Sequence, residues 1–530
     1  MKGSSVKQGG SATGRRAFLA GVTAVGAAAM TRAFAQAASS VPPPPEGGKG
    51  YRTASEQVAD LAARRVSAVE LLDQAIARIE VLDKHINAVV VRDFERARRA
   101  AIAADQALAR GERRPLLGLP MTVKESYNIA DLPTTWGIPA FKDWRPTEDA
   151  VVVERLKAAG AVIMGKTNVP VALADWQTTN PIYGTTNNPY DIERTPGGSS
   201  GGSAASLAAG YVSLEAGSDI GGSLRTPAHY CGVFAHKPTY GVLPRRGQNF
   251  PRQPALPSAG DGLAVVGPMA RSAQDIALAF DVMAGPDELR EGVGWRLVLP
   301  RPRHRVLRDF RVLVIDTHPL CPTAEVIRTA LAQLADRLGK EGATVARQSS
   351  LLPDLAEATR NYMRLLGPIM TQGRPPEYYE RMRSIAATLG PDNQSLDAIL
   401  VRSANAGWRD WEAASNGRTR LQSQWATLFK QWDVVLCPVM PTVAFKHDHG
   451  EPSARRLDVD GKSQPYNSNI VWAGLATGGQ LPATVAPIGR TDTGLPIGVQ
   501  IIGPYLEDTT TIQFAQLLEK AFGGFVPPVL

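Results

Sequence analysis

Cysteine is scarce: Cys231, Cys321 and Cys437 are the only three in 530 residues, odd in number, far apart and without a C-x-x-C pair. That excludes a disulfide framework, and a chain that folds among reduced thiols before export needs none. The seven histidines form no H-x-x-x-H set. His229 and His236 do not stand at a metal-ligand spacing, so both read as structural, and neither metal nor cofactor is expected. Positive charge is lacking where nucleic-acid binding would need it. The formal charge of +8 includes Lys2, Lys7, Arg15, Arg16 and Arg32, so removing these five leaves only +3 on everything after residue 35. Counterion release requires clustered Lys and Arg, so the expected partner is a small molecule and not a nucleic acid.

A membrane-spanning run is also missing. The apolar stretch from Ala17 to Met30 is too short and too rich in alanine to cross a bilayer comfortably. Preceded by basic residues and followed by Ala33-Phe34-Ala35, an A-x-A cleavage signal, it reads as a targeting segment. Gly14-Arg15-Arg16-Ala17-Phe18-Leu19 resembles the twin-arginine export signal, whose pathway carries folded proteins across the bacterial inner membrane. The expected organisation is therefore a signal peptide over 1–35, a Pro/Gly-rich linker over 36–50, and one domain over 51–530. The mature protein is expected to be periplasmic or secreted, with no stable membrane insertion once the signal is removed. Its oligomeric state is left open, a homodimer included.

What the body does contain is 44% hydrophobic and 20% charged residues, the balance of a globular protein with a substantial core. Thr53-Ala54-Ser55-Glu56 and Ser67-Ala68-Val69-Glu70 are capping boxes, each opening a helix. After the second, Val69, Leu72, Ile76, Ile79 and Leu82 recur at helical steps and share a face. Short apolar runs at 161–164, 312–315 and 434–436 alternate with helical patterns, the clearest being 326–338 with Ile327, Leu331, Leu334 and Leu338 on one side. Strands with helices between them predict an α/β fold: a single large domain with a mixed, mostly parallel twisted central sheet, covered by helices on both faces. The Arg- and Pro-rich stretch from Asp287 to Arg308 is expected to cross between two halves of that sheet.

Gly160-Ala161-Val162-Ile163-Met164-Gly165-Lys166-Thr167 satisfies the phosphate-loop pattern. Its interior reads as a buried strand and Pro170 follows closely, whereas a phosphate loop needs open amides and a helix starting at the lysine. The informative segments are Thr195-Pro196-Gly197-Gly198-Ser199-Ser200-Gly201-Gly202-Ser203 and Gly217-Ser218-Asp219-Ile220-Gly221-Gly222-Ser223-Leu224-Arg225. Glycines on both sides of a serine let the backbone turn sharply and expose N–H groups. The amides of Ile220, Gly221, Gly222 and Ser223 are thus candidates for an oxyanion hole that stabilises a tetrahedral intermediate. A serine nucleophile needs a base, and no histidine offers itself. Lys124, at the end of the strand-like run Gly118-Leu119-Pro120-Met121-Thr122-Val123, can serve if burial keeps it neutral.

These two loops, together with Cys231-Gly232 and Lys237-Pro238-Thr239, resemble the amidase signature family. Gly118-Leu119-Pro120 with Lys124, Thr134-Thr135, Gly165-Lys166-Thr167-Asn168 and Gly494-Leu495-Pro496-Ile497-Gly498-Val499-Gln500 match further landmarks in the same order. The resemblance implies a Ser-cisSer-Lys triad of Ser223 as nucleophile, Ser199 as bridging serine and Lys124 as base. It also implies a supporting role for Ser200 and Arg225, with Asp219 similar. Glu125 stands where Asp is common, and Trp136 and Ile138 replace smaller or polar residues, which implies a more apolar pocket wall. The segment from Ala476 to Pro482 is less typical. Tyr362, Met363, Leu366 and Met370 are candidate pocket residues on a helical apolar stripe, although a helix facing the core shows the same stripe. The activity implied is hydrolysis of a small carboxamide through an acyl-enzyme, with aryl amides, esters and carbamates left open. The tRNA-dependent amidotransferases, whose A subunit shares these motifs, and an inactive binding protein supply the competing readings.

Export generates the first prediction. Fractionated cells should hold a mature form in the periplasm, shortened by about 35 residues, and the Arg15→Lys/Arg16→Lys variant should accumulate uncut inside. Full-length protein in the cytosol whether or not the arginines are changed would contradict it.

Overall fold

In the computed structural model, the described residues are 49–530, apart from 258–259 and 452–453. The expected signal and nearly all of the linker lie outside them. Both capping boxes form: Thr53 and Glu56 exchange hydrogen bonds at the start of Ala54–Ala62, and Ser67 and Glu70 do the same at the start of Ala68–Ile86. In the second helix Leu72 and Ile79 are fully buried and Val69, Ile76 and Leu82 pack against the same cluster, so the face read from spacing is the buried one.

The strands of the main sheet are β1 (Val89–Arg92), β2 (Pro120–Lys124), β3 (Val162–Thr167), β4 (Leu214–Asp219), β5 (Phe234–Lys237), β6 (Val265–Ala270), β7 (Arg311–Val314), β8 (Thr344–Ala346), β9 (Val434–Pro438), β10 (Ala483–Arg490) and β11 (Pro496–Ile502). These eleven lie in the order β1-β3-β2-β4-β6-β5-β10-β11-β9-β7-β8. The sheet is mixed, but parallel pairing is confined to β3-β2-β4 and β9-β7-β8. That is a smaller parallel share than the sequence suggested. Parallel neighbours require a crossover, and helices Val151–Ala158, Gly201–Ala208 and Glu325–Lys340 supply one between β2 and β3, β3 and β4, and β7 and β8. The centre is antiparallel, with direct loop returns from β5 into β6 and from β10 into β11.

Alternate residues of β3 and β9 enter different cores, one on each face of the sheet. Val434 and Leu436 of β9 join a cluster with Val151, Ile276, Leu334 and Phe514. Val435 and Cys437 join Tyr362, Leu421, Trp425 and Leu475. Toward the other edge Val162 and Met164 of β3 meet Leu72, Ile79 and Leu207. The segment from Asp287 to Arg308 contains no strand and leads from helix Ala273–Met283 to β7, with Val293, Trp295 and Val298 exposed. It makes the expected crossing.

Two features place the chemistry. β2 and β4 run parallel with Thr122 opposite Glu215, so their carboxyl ends, Lys124 and Ser218-Asp219, lie side by side. This is the edge where ligands of α/β sheets are held. Helix Gly201–Ala208 presses its first turn onto the strand end at Asn168, and a Cβ on Gly202 would collide with the Asn168 backbone. Gly202→Ala should therefore cost about 1–3 kcal/mol, the usual range for forcing atoms into a filled space. A variant that melts at the wild-type temperature would show that the helix has room to shift.

Candidate active site

Lys124 ends β2 with its amine fully buried among hydroxyls. Nζ lies 2.7 Å from Ser199 Oγ and 3.0 Å from Ser218 Oγ. Burial drives its pKa down to about 7, against the opposing charges of Asp219 and Glu125. An ordinary lysine would be a permanent cation here, whereas this one exchanges its proton near neutrality.

Ser199 follows a cis Gly198–Ser199 peptide bond in the first Gly/Ser-rich loop. The turn before it requires Gly197, which has φ +89° and whose Cβ would lie 2.8 Å from Pro227 Cα. Ser200 ties this loop to the second one. Its N–H donates to the Ser223 carbonyl (3.1 Å), its hydroxyl donates to the Ser218 carbonyl (3.3 Å), and the Ser218 N–H donates back to it (3.4 Å). Lys124 at a strand end thus meets Ser199 of the first loop, and Ser200 links that loop to the backbone of Ser223 in the second. Lys124 is 0% exposed, Ser199 1% and Ser223 6%, so Ser223 is the least buried of the three.

The Ser223 loop is wrapped around a buried ion pair. Asp219 accepts from the amides of Gly222 (2.9 Å) and Leu224 (3.0 Å) and from Arg225 Nε (3.0 Å) and Nη2 (2.8 Å). Burial alone would raise the Asp219 carboxyl, but the charge and hydrogen bonds of Arg225, with those amides, hold it at about 2. The remaining N–H groups of Arg225 reach the Ala473 carbonyl, Gln500 Oε1 and Thr477 Oγ1. Thr477 lies in the segment that looked atypical in sequence, so that segment braces the loop. One expectation is corrected here: the Gly222 N–H is directed at Asp219, not at the oxyanion position. Of the four amides named, those of Ile220, Gly221 and Ser223 remain.

Around Lys124, Glu125 accepts from the amides of Thr135 (2.5 Å) and Trp136 (3.0 Å) and from the Tyr183 hydroxyl (3.3 Å). Burial raises its pKa, with Lys166 and these donors opposing. Lys166 donates to the Pro133 carbonyl and Thr134 Oγ1. It lies within β3, which settles the phosphate-loop pattern: Gly165-Lys166-Thr167 is buried strand, and its lysine is engaged by protein. Trp136 is half-buried, its indole N–H held by the Ser126 carbonyl and its ring edge-on to Phe250; Ile138, also half-buried, sits just before a short 3-10 turn.

The stripe on helix Leu355–Thr371 needs a larger correction. Tyr362, Met363 and Leu366 are buried in a core cluster and Met370 packs against it, the Tyr362 ring lying against Gly474 and Gly478 of the neighbouring helix Ile470–Gly478. They are core residues, and the Tyr362 hydroxyl reaches the site, donating to the Ile220 carbonyl at 2.6 Å. Sequence reasoning also passed over three groups. Ser218, quoted within its motif, had no role assigned, yet it is the second partner of Lys124. Gln248 bridges Ser126 and Ser218 (both 3.1 Å), and Trp176 donates to the Gly221 carbonyl (2.9 Å). No motif marks either.

Both histidines have structural partners. His229 lies between the Thr442 carbonyl and the Gly498 N–H, with burial pushing its pKa down to about 4; His236 lies between Thr484 and Asp508.

Comparison with known proteins gives the family. Residues 70–512 match the amidase family. The A subunit of the glutamyl-tRNA(Gln) amidotransferase of Roseiflexus castenholzii is 33% identical over 494 residues, covering 89% of this chain and 96% of that protein. A solved chain from a complex described as revealing the evolutionary origins of an s-triazine catabolic enzyme is 30% identical, with a TM-score of 0.74 over 88% of this chain and 98% of its own. A bacterial aryl acylamidase, at 23% identity and a TM-score of 0.74 over 89% and 96% of the two chains, shares the fold. With its sheet, its paired serine loops and a match over most of its length, the chain belongs to the amidase signature family.

Proposed function

We propose that the protein is a serine amidohydrolase that cleaves the C–N bond of small carboxamides. The observation that carries this reading is the buried amine of Lys124 at 2.7 Å from Ser199, on a loop tied to that of Ser223. Neutral Lys124 takes a proton from Ser199 as Ser199 takes one from Ser223. Ser223 Oγ bonds to the carbonyl carbon, and the resulting oxyanion is met by the amides of Ile220, Gly221 and Ser223. The relay then returns the proton to the nitrogen, the C–N bond breaks and the amine leaves. Water, deprotonated by the same relay, releases the acid and restores Ser223. Every proton is carried by the chain's own side chains, and the reading assigns no step to a cofactor. Esters and carbamates fit the same sequence of steps.

A second reading is favoured by the relatives: a role within a tRNA-dependent amidotransferase, to whose A subunit this chain is 33% identical over most of its length. The twin-arginine-like signal and the small positive charge left after it favour the hydrolase acting alone, in the periplasm. A screen of amides, anilides, esters and carbamates with the purified protein separates the two. Turnover without partner proteins, abolished in Ser223→Ala, with a fluorophosphonate label mapping to Ser223, supports the hydrolase. A label on Ser199, or none, would remove Ser223 from its role, and turnover only on adding the other amidotransferase components would favour the second reading.

The pH dependence follows from Lys124. Its pKa is lowered to about 7, so the resting amine is neutral above that value and protonated below it. Amide turnover should fall as pH drops through about 7 and hold on the alkaline side. Lys124→Ala should lose roughly 10⁴-fold in amide turnover, as removal of a member of such a unit typically does. Ester cleavage should suffer less, because an alkoxide leaves with less need of a proton. A calorimetrically folded Lys124→Ala enzyme with the wild-type rate and pH profile would eliminate Lys124 as the base.

A further inference from the structure

The loop that must hold the oxyanion is built from residues with little conformational preference. Gly221 and Gly222 have no Cβ to bias their peptide planes, so something outside the loop has to fix which way each N–H points. A trans peptide is planar, with its N–H opposite its C=O, so a donor that grips the carbonyl also aims the amide of the next residue. Two side chains do this. The Tyr362 hydroxyl donates to the Ile220 carbonyl at 2.6 Å, and the Trp176 indole N–H donates to the Gly221 carbonyl at 2.9 Å.

The two peptides are not held equally. The Gly221–Gly222 peptide is fixed at both ends, by Trp176 at its oxygen and by Asp219 at the Gly222 N–H. The Ile220–Gly221 peptide is fixed at its oxygen by Tyr362, while its N–H meets no acceptor among the described residues. We propose that Tyr362 is a positioning residue for catalysis: by holding the Ile220 carbonyl, its hydroxyl aims the Gly221 N–H at the oxyanion. This rests on the reading of Ser223 as nucleophile.

The surroundings are shaped for that grip. Tyr362 is 0% exposed, and its ring enters a groove on helix Ile470–Gly478 that glycines keep open. A Cβ on Gly474 would stand 3.0 Å from Tyr362 Cδ1, and one on Gly478 would stand 3.3 Å from Tyr362 Cβ. Burial pushes the phenol pKa well up, so the group remains a donor throughout the working pH range. A buried tyrosine usually finds a partner for its hydroxyl, and the partner here is the carbonyl whose peptide carries the Gly221 N–H.

The test uses the full-length mature protein and the second-order rate at which a fluorophosphonate labels Ser223, since phosphonylation also places negative charge on an oxygen in the hole. Inhibition by phenylboronic acid, which adds to serine as a tetrahedral anion, gives a second reading of the same site. Loss of a whole oxyanion donor costs on the order of 10²–10³-fold. Tyr362→Phe removes only the hydroxyl and should slow labelling about tenfold or more, weaken boronate inhibition by a similar factor and leave the melting temperature within a few degrees. Trp176→Phe should slow labelling less, because Asp219 still holds the peptide that Trp176 releases. A purely structural role predicts the reverse order, since the tryptophan loses more volume. Labelling of Tyr362→Phe within twofold of wild type, or a larger loss in Trp176→Phe, overturns the proposal. If wild type is labelled elsewhere than at Ser223, the nucleophile assignment fails and this inference with it; if wild type labels at Ser223 and Tyr362→Phe labels as fast, the inference alone fails.

Discussion

Asp219 and Arg225 have side chains without any exposed surface, and the order of the whole site depends on their contact. A buried ion pair is costly unless hydrogen bonds meet the groups left over, and here they do. All five N–H groups of Arg225 have acceptors, and the Asp219 carboxylate also takes the amides of Gly222 and Leu224. The result is a rigid knot within the Ser223 loop. Through Thr477 and Gln500 it is fastened to the C-terminal half of the chain, so the loop is placed by the whole sheet and not by its own sequence.

The same knot sets the electrostatics of Lys124. Asp219 is close enough to favour the protonated amine, and desolvation must overcome it to bring the pKa down to about 7. It can do so because the Asp219 charge is largely answered by Arg225 and because the immediate neighbours of Nζ are neutral hydroxyls. Glu125, the other carboxyl nearby, faces Lys166 and two backbone amides. Each charge around the buried amine therefore has its own partner, and burial leaves the Lys124 pKa lowered to about 7.

Much of this was legible in the chain. The capping boxes, the helical face at 326–338 and the apolar runs that became β3, β7 and β9 are local patterns, and local patterns survive folding when a core rewards them. The two Gly/Ser loops were legible for a similar reason: sharp turns and close backbone contacts admit few residues other than glycine. The share of parallel pairing was not, because it depends on which strand each connection reaches. The stripe at Tyr362, Met363 and Leu366 was ambiguous, since a helix facing a pocket and one facing a core show the same periodicity.

By itself, then, the sequence determined the family, the α/β class and the residues of the paired loops, because each rests on short segments whose chemistry is written within a few residues. The tertiary structure decided which groups those residues meet. That Tyr362 grips Ile220, that Gln500 completes Arg225, and that the Gly222 amide serves Asp219 and not the oxyanion position are contacts between donors and acceptors. The first two span 142 and 275 positions of chain. The third turns on the direction of a single peptide plane. Spacing along a chain carries no information about either, because glycine leaves the plane free and only the packing of distant helices against the sheet fixes it.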